Sequence, residues 1–253
     1  MALRSGQVID LTVQDAQDGV AVSVLGDLDP AAEADIANDV NWMLGLDRDL
    51  SDFYAVARQE PKLVHAEQQA LGRILRSASL FEDTVKTILT TNTAWSGTKR
   101  MVRKLVEQYG ADLPDNSGRK AFPTPMRLAQ VDGDRLRAEA GLGYRGPYVA
   151  ELSQAVASGK LDLESLKTSD LSTGELRKRL LAIKGVGDYA AANLLMLLGR
   201  TDYIPVDSWA MKMVSHEWYD GQLVGRAEVE AAFEDWGQWK GMAYWFWDWS
   251  YEG

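Results

Sequence analysis

The sequence predicts a mainly α-helical protein that begins with a small α+β lobe built on an antiparallel sheet. Three features carry that expectation. Apolar and polar residues alternate through the first 25 positions, and the period turns helical at Pro30. After Lys62, helix-length periodic segments are separated by Gly, Pro and Asn/Asp clusters.

In chain order, VIDLTV, QDAQDG and VAVSVL read as strand, turn and strand, a half-buried antiparallel hairpin. DPAAEADIANDVNWMLGL then reads as an amphipathic helix capped near Asp29, because an aspartate just before the first turn accepts its free amides. Breaks follow at LPDNSGRKAFPTP, GLGYRGP, SGKLD, LKTSDLSTG, KGVGD, GRTDYIPVD and YDGQLVG. The expected division is a sheet lobe at 1–62 and a helical body at 63–253. Neither a fixed-period repeat nor a low-complexity segment interrupts the pattern.

The chain has 253 residues, 46% of them apolar, which suffices for a core and one to three domains. It has no apolar run of about 18 residues and no cationic-then-apolar leader, so a cytoplasmic protein without membrane contact is expected. Cysteine is absent, which excludes disulfides, thiolate zinc sites, cysteine nucleophiles and iron–sulfur clusters. His65 and His216 lack metal-ligand spacing. A net charge of −10 argues at first against a nucleic-acid partner. Residues 1–65, however, hold 12 acidic and 4 basic residues, and the other 188 hold 25 and 23. Basic clusters stand out there, at Lys99, Arg100, Arg103 and Lys104 and at Arg177, Lys178, Arg179 and Lys184. Such runs are usually solvated faces.

KGVGD separates two helical segments, GELRKRLLAI and DYAAANLLMLLG. Gly185 and Gly187 permit backbone angles and close approaches that side chains block, and Asp188 is a natural cap for the second helix. The unpaired amides of that helix start could receive an anion such as a phosphate, with Lys184 and the Arg177–Arg179 run beside it. Ala190, Ala191 and Ala192 imply that another helix packs very closely. Further on, Pro205-Val206-Asp207 precedes SWAMKMVSHEW, so Asp207 reads first as an N-cap. A capped aspartate is also a rigid one, and catalysis stays open.

The pattern L-x-x-I-K-G-V-G-D-Y-A-A-x-x-L, followed by the aspartate of P-V-D, resembles the helix-hairpin-helix DNA glycosylase superfamily. It is similar to 3-methyladenine DNA glycosylase II and 8-oxoguanine DNA glycosylase, without an iron–sulfur cluster. LFEDTVKTILTTNTAWSGTKRMVRKLVEQYG resembles the helix pair before that family's lesion-probing loop, and GLGYRGPYV and WGQWKGMAYWFWDW resemble later segments. The likeness runs through roughly residues 10–250. It implies the helix-hairpin-helix glycosylase architecture, with a helical barrel at 81–204 ending in the hairpin and a second lobe formed by 63–80 with 205–253.

The resemblance also assigns roles. Asp207 matches the catalytic carboxylate, which stabilises the positive sugar as the N-glycosidic bond breaks and orients water. Bifunctional members carry a Schiff-base lysine two residues after the second hairpin glycine, where this chain has Tyr189. Base removal by water without lyase activity is therefore expected, with Tyr189 either lining the pocket or packing a helix face. A target base must be rotated out of the duplex. Asn92 matches the residue that fills the gap, and Tyr144 and Arg145 match the wedge on the opposite strand, where a ring beside a cation suits an exposed tip. Asn92 alternatively reads as a helix C-cap, and Tyr144 as an ordinary turn tyrosine.

Lys184, Gly185, Val186 and Gly187 match the phosphate grip. The carbonyls of Leu181, Ile183 and Val186 match a site for a monovalent cation, Na+ or K+, and no other cofactor is implied. Trp245 matches the ring that stacks on the base in alkylpurine enzymes, which favours cationic purines. Asn193, Tyr244 and Asp248 stand where 8-oxoguanine enzymes hold the base, and they differ from that pattern; Asn193 and Tyr244 are still able to hydrogen-bond a base edge. Trp236, Trp239, Trp247 and Trp249 read mostly as core. The expectation is a monomeric, monofunctional glycosylase for an alkylated purine in double-stranded DNA, bacterial in type and on the nucleoid while scanning. The alternatives are an oxidised- or deaminated-base glycosylase, with or without lyase activity, and a non-catalytic DNA-binding module.

Overall fold

Leu11–Ala16 (β1) and Gly19–Val24 (β2) pair as a two-stranded antiparallel sheet, with Leu11 opposite Val24 and Val13 opposite Val22. The computed structural model describes residues 1–3, 6–17, 19–25, 27–114 and 117–249. Asp18 of the expected turn, Asp115 and Asn116 of LPDNSG, and residues 250–253 of the aromatic run lie outside them. The remaining named elements are helical. They are α1 (Pro30–Leu44), α2 (Ser51–Ala57), α3 (His65–Gln68), α4 (Leu80–Thr90), α5 (Trp95–Tyr109), α6 (Pro125–Leu128) and α7 (Gly133–Glu139). After a 3-10 turn at Gly143–Arg145 come α8 (Gly146–Ala157), α9 (Thr173–Leu181), α10 (Asp188–Leu197), α11 (Ser208–Trp218), α12 (Arg226–Ala232) and α13 (Lys240–Phe246). Among the described residues no helix is long and apolar enough to cross a membrane.

The chain forms two compact units. Met1–Leu46, Arg76–Ser169 and Ile183–Gly185 make the first; Asp47–Leu75, Asp170–Ala182 and Val186–Gly253 make the second. In the first unit the expected cap of α1 is present, with the Ala32 N–H donating to Asp29 Oδ1 at 2.8 Å. β2 turns Val20, Val22 and Val24 inward onto Leu3, Ile9, Ile36 and Val40. The strands are displaced from expectation, since residues 14–16 pair in β1 instead of turning. β1 is also more exposed than a half-buried strand, and Leu11 is its single residue packed on this core. One thin apolar layer needs only one strand's inner face to cover it.

The second unit is built around Phe53, Leu63, Val229, Phe233 and Met242, all fully buried. Trp236, Trp239, Trp247 and Trp249 pack against that core, as expected for most of the aromatic run. Phe233 sits among rings, 5.3 Å from Trp218, 5.5 Å from Trp247 and 5.9 Å from Tyr244, the last two at nearly right angles. Edge-to-face contacts set the positive ring edge on the negative face of the neighbour. Cutting Phe233 to Ala removes a ring that four aromatic neighbours enclose. Phe233→Ala is expected to lose about 3–5 kcal/mol of stability in urea unfolding, the range for deleting a buried phenyl ring.

Candidate active site

The turn between α9 and α10 begins where α9 stops at Leu181 and ends at Gly187, the N-cap of α10. Gly185 has φ +89°, and a Cβ there would lie 2.7 Å from Tyr148 Cδ2, so backbone angle and space both require glycine. Gly187 differs. Its φ is −93°, and nothing lies within 4 Å of where its Cβ would be. The fold does not demand a glycine there, and a bare N-cap leaves the first amides of α10 open to an approaching anion.

Two expectations about this turn are corrected. Asp188 does not cap α10; it lies inside the first turn and pairs with Arg177. A carboxylate there already meets the positive helix end and gains a cation besides. Lys184 is exposed but engaged with Glu151 at 2.9 Å. Ile183 and Val186 are buried, and so are Ala190, Ala191 and Ala192, where α9 packs against α10.

Asp207 is the N-cap of α11, and its Oδ1 accepts the Ala210 N–H at 2.8 Å. Ile204, Pro205 and Val206, all buried, hold the chain before it. Beside Asp207 opens a cavity of about 290 Å³, at the small end of the range for ligand sites. Tyr189 and Asn193 enter it from successive turns of α10, Pro205, Asp207 and Trp209 from the start of α11, and Tyr244 and Trp245 from α13. The Asn193 side-chain amide donates to the Tyr189 carbonyl at 2.9 Å, which fixes its orientation. Tyr244 is 5% exposed, and burial, reinforced by Asp207 and then Tyr189, pushes its phenol well above the usual tyrosine range. Its ring meets Trp209 edge-on at 6.2 Å. Trp245, 47% exposed, is the part of the aromatic run that opens onto the cavity rather than the core.

All four residues expected in a base pocket therefore stand around the expected carboxylate. Trp209 was missed by the sequence reading. Its position two residues after an N-cap, on the same turn as the capped amide, is the signal that could have found it. Asp248 is absent from the lining among the described residues; it is exposed, and its backbone bonds Lys62 in both directions at 3.0 Å.

In the first unit, Asn92, Tyr144 and Arg145 come together. α4 ends at Thr90, and Asn92 takes φ +47°, a left-handed angle that asparagine tolerates better than most residues. Its side-chain amide donates to the Tyr144 hydroxyl at 3.3 Å, and Thr91 Oγ1 lies 3.4 Å from the same oxygen. These bonds, Thr91's first, lower the Tyr144 pKa, with the Arg145 charge adding to them. The expectation of an exposed cation at this tip is corrected, because Arg145 is 6% exposed. Its guanidinium donates to the carbonyls of Thr91 and Asn92 and lies 4.4 Å from the Tyr144 ring. Carbonyls at a helix end lack intrahelical partners, and a buried arginine satisfies them. Arg145 is a brace under the pair, while Asn92 and Tyr144 are exposed. The basic cluster Lys99, Arg100, Arg103 and Lys104 lies on α5.

A family described as HhH-GPD superfamily base excision DNA repair protein matches residues 85–238. A probable N-glycosylase/DNA lyase of Methanothermobacter thermautotrophicus is 26% identical over 223 residues, covering 79% of this chain and 69% of that protein. A DNA-3-methyladenine glycosylase of Bacillus subtilis is 26% identical over 165 residues, 64% of this chain and 54% of the relative. The structure of the 3-methyladenine DNA-glycosylase from Archaeoglobus fulgidus superposes with a TM-score of 0.77 at 20% identity, covering 97% of this chain and 84% of that one. At that identity the likeness is one of fold.

The two hairpin glycines should separate in a stability measurement. Gly185→Ala forces a side chain into a left-handed angle and against Tyr148, and is expected to cost at least about 1–2 kcal/mol in denaturant unfolding. Gly187→Ser places a favoured cap at an unstrained, open position and should leave stability equal or slightly higher.

Proposed function

The chain belongs to the HhH-GPD superfamily of base excision DNA repair proteins, and from that membership we propose that it is a monofunctional DNA glycosylase. Its substrate on this reading is a damaged, alkylated purine turned out of double-stranded DNA, and it acts as a monomer. The observation that carries the reading is the capped carboxylate of Asp207 in a cavity walled by the rings of Tyr189, Trp209, Tyr244 and Trp245. Among the described residues that lining includes no Lys, Arg or His.

Each part suits the chemistry. As the bond from C1′ to the base nitrogen breaks, positive charge grows on the sugar, and a fixed carboxylate in a partly dry cavity stabilises it. Because Oδ1 is held by the Ala210 amide, the carboxylate needs little reorganisation when that charge appears. Water then completes the substitution at C1′. An alkylated purine carries positive charge on its rings, and the faces of tryptophan and tyrosine attract it. Tyr189 stands at the position where a lysine would form a Schiff base, and a phenol cannot form one.

On the DNA side, the open amides at Gly187 would take a backbone phosphate, with Lys184 available by exchange from its exposed partner Glu151. A monovalent cation on the carbonyls of Leu181, Ile183 and Val186 belongs to the same reading. Asn92 and Tyr144, tied at 3.3 Å and braced by Arg145, would enter the gap left by the rotated nucleotide as one unit.

The test is a panel of duplexes with single lesions, methylated adenine and guanine, hypoxanthine, uracil and 8-oxoguanine. Release of a methylated purine, with strand breaks only after alkali, is the expected result. Asp207→Asn keeps an equally good cap while removing the charge, so the fold should persist while release falls at least about 100-fold. Strand breaks without alkali would overturn the monofunctional reading, and intact DNA binding with no release would favour a non-catalytic module. Borohydride should trap no covalent complex with the natural chain, whereas Tyr189→Lys, which sets an amine in the same cavity, should gain one.

A further inference from the structure

Resting on the glycosylase reading, we propose that the Tyr244 hydroxyl donates a hydrogen bond to the departing base and so extends the substrates from cationic to neutral, deaminated purines. The geometry is that of a buried phenol aimed at a ligand. Tyr244 is 5% exposed, its ring is held edge-on by Phe233 and Trp209, and it lines the cavity beside Asp207. Among the described residues no hydrogen bond is made to its hydroxyl. Buried polar groups nearly always have partners, and one that faces a cavity without a partner marks where a ligand supplies it. The neighbouring amide of Asn193 already donates to the Tyr189 carbonyl.

The hydroxyl is also constrained to one role. Burial and the nearby Asp207 and Tyr189 disfavour its phenolate, so it faces the ligand as a donor and not as a base.

The leaving group decides why a donor matters. When a cationic alkylated purine departs, the electron pair of the C1′–N bond neutralises it, and no acid is needed. When a neutral purine departs, the same pair makes an anion spread over its ring nitrogens and carbonyl oxygen. Asp207 stabilises the sugar and does nothing for that anion, and the ring faces around it repel negative charge. A hydrogen bond from Tyr244 to an acceptor on the base edge lowers that barrier. Water oxygen then bonds to C1′, and the proton it releases ends on the departed base, so Tyr244 is unchanged over the cycle.

The experiment compares single-turnover release of 7-methylguanine, a cationic base, with release of hypoxanthine, a neutral one, from otherwise identical duplexes. Tyr244→Phe keeps the ring and its packing, and its melting temperature reports whether the fold is intact. The ratio of hypoxanthine to 7-methylguanine rates is expected to fall about 100-fold in the variant, as when one preorganised donor is removed from developing negative charge. Equal losses on both bases would make Tyr244 a packing residue and overturn the proposal, and so would an unchanged ratio. A natural chain that releases 7-methylguanine but no hypoxanthine also overturns it, while the glycosylase reading stands. Release of neither base is the separate result that ends both.

Discussion

A helix leaves its first amides without partners, and at the start of α11 one of them is taken by Asp207 Oδ1 at 2.8 Å. That bond holds the carboxylate at the end of a buried stretch, Ile204 to Val206, where its direction is set by the helix behind it. The cavity, the rings around it and the shift on Tyr244 are all arranged with respect to this group. Capping and chemistry are thus one arrangement: the oxygen bound to the helix makes the carboxylate a stationary charge.

The start of α10 solves the same problem in the opposite way. Gly187 offers no side chain, so its first amides stay open to the outside. The acidic residue that could have closed that end, Asp188, is turned aside into a pair with Arg177. A capped start suits a helix that positions a charge, and an open start suits one that receives an anion. Gly185 serves neither end. It is glycine because the backbone passes Tyr148 at a left-handed angle.

Arg145 and the aromatic run show how burial redirects a residue type. A lone guanidinium in a loop suggests a surface contact, but this one lies under the α4 terminus and bonds the carbonyls of Thr91 and Asn92. Its charge stiffens the two exposed side chains above it. In the aromatic run, rings on one face of α13 and just after it fill the core around Phe233. Trp245 follows Tyr244 by one residue, about 100° around the helix, and opens to the cavity instead.

By itself the sequence determined what depends on near neighbours along the chain. The alternation of Val20, Val22 and Val24 made a strand, Asp29 and Asp207 made helix starts, and the glycines of KGVGD made a turn between helices. Motif order also singled out Asp207, Tyr189, Asn193, Tyr244 and Trp245, which the structure brings to one cavity. The tertiary structure alone decided the burial of Arg145, the pairing of Asp188 and the entry of Trp209 into the site. The reason is range. Periods and caps are settled within a turn or two, whereas Trp209 meets Tyr244 across 35 positions of chain and Arg145 meets Thr91 across 54, through packing that no local pattern encodes.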